Sequence, residues 1–165
     1  MSNSTIRFPS EDFPALPAVS LVLPEEWSGV VVPATVLAAH RRVDEGQFVS
    51  NVIVRTQRVE NTVDLQTAAA IVDEGVASLA DVQDIGRAII ETAGRNGYAR
   101  EFAFRHAEAG TLAQSWRIFV VEHDGVTDLV ELVGTVSPAR TLDLAEIRSI
   151  MDTALIGDRQ PAVRS

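Results

Sequence analysis

The chain reads as an α+β protein: an antiparallel sheet of about six to seven strands, built from a hairpin and a four-strand meander and sandwiched by two helices. Three observations predict this. Four short segments end in glycine, Asp44-Glu45-Gly46, Arg95-Asn96-Gly97, Glu108-Ala109-Gly110 and His123-Asp124-Gly125, and each separates two runs rich in Val, Ile, Phe or Ala. Glycine reaches positive φ at no steric cost, and Asn or Asp tolerates the same region, so such segments join antiparallel strands. Most flanking runs keep a strand period, whereas two stretches, near residues 65–79 and 144–155, switch to helical spacing.

Element by element, residues 8–18 hold Phe8-Pro9, Phe13-Pro14 and Leu16-Pro17. Proline opposes helix and favours extended chain, with the phenylalanines as expected anchors. A first strand is expected over 19–23, closed by Pro24 and followed by Trp27. Residues 30–42 and 47–59 form the first hairpin; Phe48, Val52 and Val54 alternate with Asn51, Arg55 and Gln57. Leu65, Ala69, Val72, Val76 and Leu79 then make a helical stripe, with Thr62 or Asp64 as its cap. Meander strands are expected near 87–94, 98–107, 112–122 and 126–137, with Pro138 ending the sheet. In the last two, Trp116, Ile118 and Val120 oppose Phe119 and Val121, and Val130 and Leu132 oppose Leu129 and Val133. Strands apolar on both sides are covered on both sides, by layers above and below the sheet or by a second subunit. A second helix follows, with Asp143-Leu-Ala-Glu146 resembling a capping box and Gly157 placed to stop it. The division is an extended segment 1–12, one domain 13–157, and a patternless tail 158–165 expected to be disordered.

Composition excludes several chemistries. The chain has 165 residues and no cysteine, so disulfides, thiolate metal sites and cysteine nucleophiles are absent. All 14 basic residues are arginine, which removes Schiff-base lysines and a Walker lysine. The formal charge of −9 and the scattered basic residues (Arg41-Arg42, Arg55, Arg58) argue against nucleic acid, which demands a basic patch. No apolar run is long enough to span a membrane or to serve as a signal peptide, so a cytoplasmic protein is expected.

The opening Val19-Ser-Leu-Val-Leu-Pro-Glu-Glu-Trp27, with the order strand, hairpin, long helix, meander, terminal helix, resembles the superfamily shared by the PsbP photosystem proteins and the Ran-binding Mog proteins. Within it the chain is most similar to the actinobacterial LpqN/LpqT lipoprotein family, over roughly residues 13–156. The resemblance implies an antiparallel sheet between helical layers and a largely non-enzymatic binding or accessory role, with no catalytic motif to transfer. The chain departs from the lipoproteins in having neither a signal sequence nor a lipobox cysteine.

Few side chains promise chemistry. His123, in Glu122-His123-Asp124-Gly125 with Asp128 beyond, reads as a solvated turn or as a metal or acid–base site. His106 follows Phe102 and Phe104 on one strand face, as a core-edge residue or a buried base; His40 precedes Arg41-Arg42, as a strand end or a small anion site. Asp73-Glu74 with Asp81 and Asp84 read as a solvated acidic end or, with spacing unlike an EF-hand, a calcium site. No G-x-S-x-G elbow and no glycine-rich phosphate loop occurs. Trp116 alternates in register with core residues, and Trp27 beyond its strand either rims a pocket or packs.

The expected function is a non-enzymatic binding or accessory module with no cofactor, contacting a protein or an apolar ligand through apolar sheet surface that two helices leave uncovered or through a pocket near Trp27, with Trp27, His106 and Trp116 as contact residues. A homodimer would satisfy the same surface. The alternatives are a small hydrolase or isomerase using a histidine–carboxylate pair, and a secretion chaperone or immunity-type partner. The first alternative fails if every histidine stands more than about 4–6 Å from a carboxylate and outside a pocket.

Overall fold

A computed structural model describes residues 2–43, 46, 48–60, 62–137 and 140–157. Asp44, Glu45, Gln47, Pro138 and the tail after Gly157, where the sequence suggests a turn, a strand start, a sheet end and a disordered terminus, lie outside the described residues. The elements run β1 (Val19–Ser20), β2 (Trp27–Gly29), β3 (Leu37–Arg41), β4 (Asn51–Val59), α1 (Leu65–Ala77), β5 (Ala80–Thr92), β6 (Arg95–His106), β7 (Gly110–His123), β8 (Val126–Val136), α2 (Thr141–Asp152) and β9 (Leu155–Ile156).

Seven strands form one antiparallel sheet in the order β2-β3-β4-β8-β7-β6-β5. The hairpin and the meander are thus joined by β4 against β8, with Asn51 opposite Thr135 and Val59 opposite Thr127. A two-stranded ribbon of β1 and β9 ties residues 19–20 to 155–156. The alternation in β7 sorts its side chains into two cores. Trp116, Ile118 and Val120 meet Phe102, Phe104, Leu129 and the Ala68, Val72 and Val76 face of α1. Phe119 and Val121 meet Val52, Val54, Val130, Leu132 and the Ile147, Ile150 and Met151 face of α2. One helix therefore covers each face, as two-sided apolar strands require.

Charge clamps add to this packing. Arg148 of α2 grips Glu101 of β6 with two nitrogens at 2.8 and 2.6 Å. On the other face Asp73 of α1 accepts from Tyr98 Oη and Arg100 Nη1, both at 2.7 Å. Burial, and then the Asp73 carboxylate, push the Tyr98 phenol up to about 12, against the opposing pull of Arg87 and Arg100.

Several expected boundaries move, each for a physical reason. Arg95-Asn96-Gly97 is not a turn. The turn is Ala93-Gly94, with φ of 50° and 77°, and Asp124-Gly125 repeats that pair at 48° and 77°. Left-handed geometry at both central residues suits the twist of a two-residue hairpin. Gly97 lies inside β6 because a Cβ there would sit 2.5 Å from the Phe119 ring. β5 begins at Ala80 rather than near 87; register shifts between Ala80 and Gln83 and between Asp84 and Gly86 break its alternation. The expected long strand 30–42 shrinks to Leu37–Arg41, because Pro33 and the left-handed Ala34 interrupt it, while Trp27–Gly29 supplies a separate strand. Only residues 19–20 of the first strand are paired.

Helix ends differ too. Asp64 is the cap of α1, accepting from Thr67 N at 2.7 Å. Asp143 is not the cap of α2: it stands in the first turn, buried, accepting from Ser50 Oγ and Arg140 Nε at 2.7 Å each. Burial would raise its pKa, but these donors and Arg41 hold it below the usual carboxylate range. Gly157 does not stop α2, whose C-cap is Thr153; its φ of 93° falls just past β9.

Candidate functional site

The β7–β8 turn sets His123 and Asp128 on facing strands, and the β4–β8 register sets Arg58 opposite Asp128. Asp128 is fully buried, and both of its oxygens are occupied. Arg58 donates through Nε to Oδ1 at 3.0 Å and through Nη2 to Oδ2 at 2.9 Å. His123 Nε2 approaches Oδ2 at 2.6 Å. An ionised carboxylate only accepts, so the network assigns the proton to Nε2 and makes it the donor. Nδ1 then faces Asp124 Oδ2 at 3.3 Å. Burial opposes the charge on Asp128, but the Arg58 and His123 hydrogen bonds outweigh it and hold the pKa below the ordinary carboxylate value. The same bond raises the pKa of Arg58.

Arg58 has a second task. Its Nη1 donates to the Pro14 carbonyl at 2.7 Å, which straps the N-terminal segment across the sheet end. This corrects the expectation that phenylalanines anchor the segment. Pro14 and Pro17 are buried, whereas Phe8 and Phe13 are exposed, because the guanidinium fixes the backbone carbonyl next to Phe13. Between residues 9–18 and the β7–β8 turn lies a surface cleft of about 790 Å³, floored by His123, Asp124 and Gly157 and walled by Pro14, Leu16 and Pro17.

His123 is therefore more than the solvated turn residue that one sequence reading offered. It bonds a buried carboxylate and borders a cleft, so the distance test for the hydrolase or isomerase alternative does not exclude it. Both ring nitrogens face carboxylates, and among the described residues no hydroxyl hydrogen-bonds to His123. No group of three or more His, Asp or Glu side chains converges as a metal site would require, again among the described residues.

The three contact residues chosen from sequence lie elsewhere. Trp27 is 5% exposed, packed in the core beneath α2. Trp116 packs against α1 beside Gly75, with the Arg55 guanidinium 5.6 Å from its ring centroid. His106 leaves the apolar face of β6; it is exposed, and its Nδ1 accepts from the Glu108 and Ala109 amides in the next turn at 3.2 and 3.1 Å. None of the three lines the cleft.

The arginines considered for nucleic acid or anions are engaged within the protein. Arg55 pairs with Glu131 at 2.9 Å, Arg41 with Glu26 and Glu146, and Arg42 donates to the Glu25 carbonyl. The acidic group near the end of α1 is likewise engaged, Asp73 with Arg100 and Asp81 with Arg105 at 3.5 Å. The signal for the His123–Asp128 part of the cluster was present in the sequence as an aspartate close beyond the Asp124-Gly125 turn. Its partner Arg58 was hidden, because only the β4–β8 pairing brings residue 58 to residue 128.

No known family's sequence profile matches this chain, and no curated protein sequence does. Solved structures are similar to it. LpqN of Mycobacterium tuberculosis, described as involved in cell envelope biogenesis, superposes with a TM-score of 0.76 at 12% identity, over 88% of this chain and 86% of that one. The PsbP protein of the cyanobacterium Synechocystis gives 0.57 at 10% identity, over 93% and 98%. The Ran-binding protein Mog1p of Saccharomyces cerevisiae gives 0.54 at 11% identity, over 86% and 91%. The chain thus has the PsbP/Mog-like fold, and identities this low speak for the fold alone.

Proposed function

We propose that the protein is a non-enzymatic binding or accessory module of the cytoplasm, allied to the LpqN/LpqT branch of its superfamily, and that it holds an apolar ligand or the apolar segment of a protein partner in the strapped cleft. The observation that carries this reading is the division of labour at the site. His123 on the floor is bonded to the buried Asp128, whose charge Arg58 neutralises from below, while Pro14, Leu16 and Pro17 form an apolar stretch of wall beside Ser10, Glu11 and Asp124. Ligand sites of this size combine apolar wall with a few fixed polar groups, and this cleft mixes the two. The likeness to LpqN, PsbP and Mog1p supports it at the level of fold.

The test is a fluorescence titration with cis-parinaric acid, an apolar probe that brightens on transfer from water. Saturable binding is expected, weakened about tenfold or more by Leu16→Arg, which puts a charge into the wall. Saturable binding that Leu16→Arg leaves unchanged defeats the assignment to this cleft, and no binding defeats the apolar-ligand reading.

A second reading rests on the 2.6 Å contact between His123 and a buried carboxylate beside a cleft. It is a small hydrolase or isomerase with His123 as base. Turnover of p-nitrophenyl acetate that saturates and vanishes in His123→Ala would replace the binding reading with this one. Equal background rates for the two proteins are expected.

A further inference from the structure

The outer edge of the sheet at β5 is built to pair with itself, and we propose that two copies of this chain associate there through an antiparallel β5–β5 ladder centred on Ile89. β5 is bonded to β6 on one side only, so its other side presents unpaired backbone donors and acceptors. The two register shifts distort the strand before Gly86. From Gly86 to Thr92 the strand pairs regularly with Glu101 to Arg95 and offers an undistorted edge.

A two-fold axis through a regular antiparallel ladder must set one residue opposite itself. The midpoint of the regular segment is Ile89. Centring the axis there puts Arg87 opposite the partner's Glu91, Glu91 opposite the partner's Arg87, and Ile89 opposite the partner's Ile89. Residues 87, 89 and 91 share one face of the strand. Each is exposed, Ile89 at 65%. The segment is therefore complementary to itself in charge and in apolar surface in this register. Shifting the register by two residues breaks both Arg–Glu pairs. Edge strands are normally guarded by charges that repel a second edge; here the charges flanking the exposed isoleucine are of opposite sign. Arg87 reaches Asp73 and Asp84 only at 3.9 and 3.6 Å, and Glu91 has no ion-pair partner among the described residues. Both side chains are available across the edge. The pairing leaves the cleft beside β7–β8 untouched, so it stands independently of the function proposed above.

Sedimentation equilibrium of the full chain from micromolar to millimolar concentration tests this. The wild type is expected to pass from its 17.8 kDa monomer toward a dimer. Arg87→Glu and Glu91→Arg each place two like-charged pairs across the ladder and are expected to raise the dissociation constant about tenfold or more. An equimolar mixture of these two variants restores both opposite-charge pairs and is expected to dimerise again. Ile89→Lys is expected to be monomeric with an unchanged circular dichroism spectrum. A wild type that stays monomeric throughout overturns the proposal. So does a dimer that neither single charge reversal weakens, or a mixture of the two variants that stays monomeric.

Discussion

Replacing Asp128 by asparagine tests how much of the strapped sheet end hangs on one carboxylate. The side chain keeps its shape but loses its charge, and its amide NH₂ must take the place of one carboxylate oxygen. At Oδ2 it would meet Arg58 Nη2 and His123 Nε2, which stand 2.9 and 2.6 Å away as donors. At Oδ1 it would meet Arg58 Nε at 3.0 Å. Removing one partner of a buried ion pair costs about 3–5 kcal/mol. The Arg58 side chain is 30% exposed and can recover part of its hydration, which brings the expected loss to roughly 2–4 kcal/mol. For a domain of this length that is a fall in Tm of roughly 4–16 °C. Urea unfolding followed by circular dichroism measures the loss directly. Its pH dependence supplies a second check. A carboxylate whose pKa is depressed by folding contributes fully above its unfolded value, near about 3.9, and its contribution fades as pH falls through the lower folded value. The gap between wild type and Asp128→Asn should therefore be open at about pH 5 and above and close in stronger acid. A loss under about 1 kcal/mol at neutral pH, or a gap that stays open in strong acid, would refute the reasoning.

Two further outcomes follow from the packing and the electrostatics. Gly97→Ala places a Cβ 2.5 Å from the buried Phe119 ring and 3.0 Å from the Ile118 carbonyl, so a loss of about 1–3 kcal/mol is expected in the same urea assay; a neutral effect would mean that β6 and β7 can part locally. The chain has one tyrosine, so its near-ultraviolet absorbance titrates Tyr98 alone. The phenol should ionise at about 12 while circular dichroism shows the fold intact, and Asp73→Asn should lower that value; an ordinary titration near about 10 in the folded protein would contradict the burial and the Asp73 contact.

The fold class was legible because periodicity carries it. The two-sided pattern of β7 and β8 demanded cover on both faces, from helices or a second subunit, and α1 and α2 supply it. Turn chemistry was legible where glycine serves a left-handed backbone, as at Gly125, and misleading where it serves a close approach, as at Gly97. The valines of residues 30–36 carry strand propensity without a ladder partner for most of their length, and Val31 ends 96% exposed. The start of β5 escaped because its bulges erase the alternation that would reveal it. The capping-box pattern at Asp143 failed because Ser50, distant in sequence, claims that carboxylate. Of the site, His123 with Asp128 was legible because one turn joins them, and Arg58 escaped for the same reason as Ser50. Arg58 and Asp128 are 70 residues apart, and no local pattern encodes which strand end meets which.

The pairing of β4 with β8 also governs when this protein can finish folding as it leaves the ribosome. Residues 51–59 leave the ribosome well before their neighbour in the sheet, residues 127–135. Until then the amino-terminal hairpin has an open flank and the meander lacks its last strand. Non-local closure of this kind slows folding and prolongs exposure of sticky edges. The nascent chain should therefore be most in need of chaperone cover in the interval between those two stretches, and a premature stop there would release a fragment unable to complete its sheet.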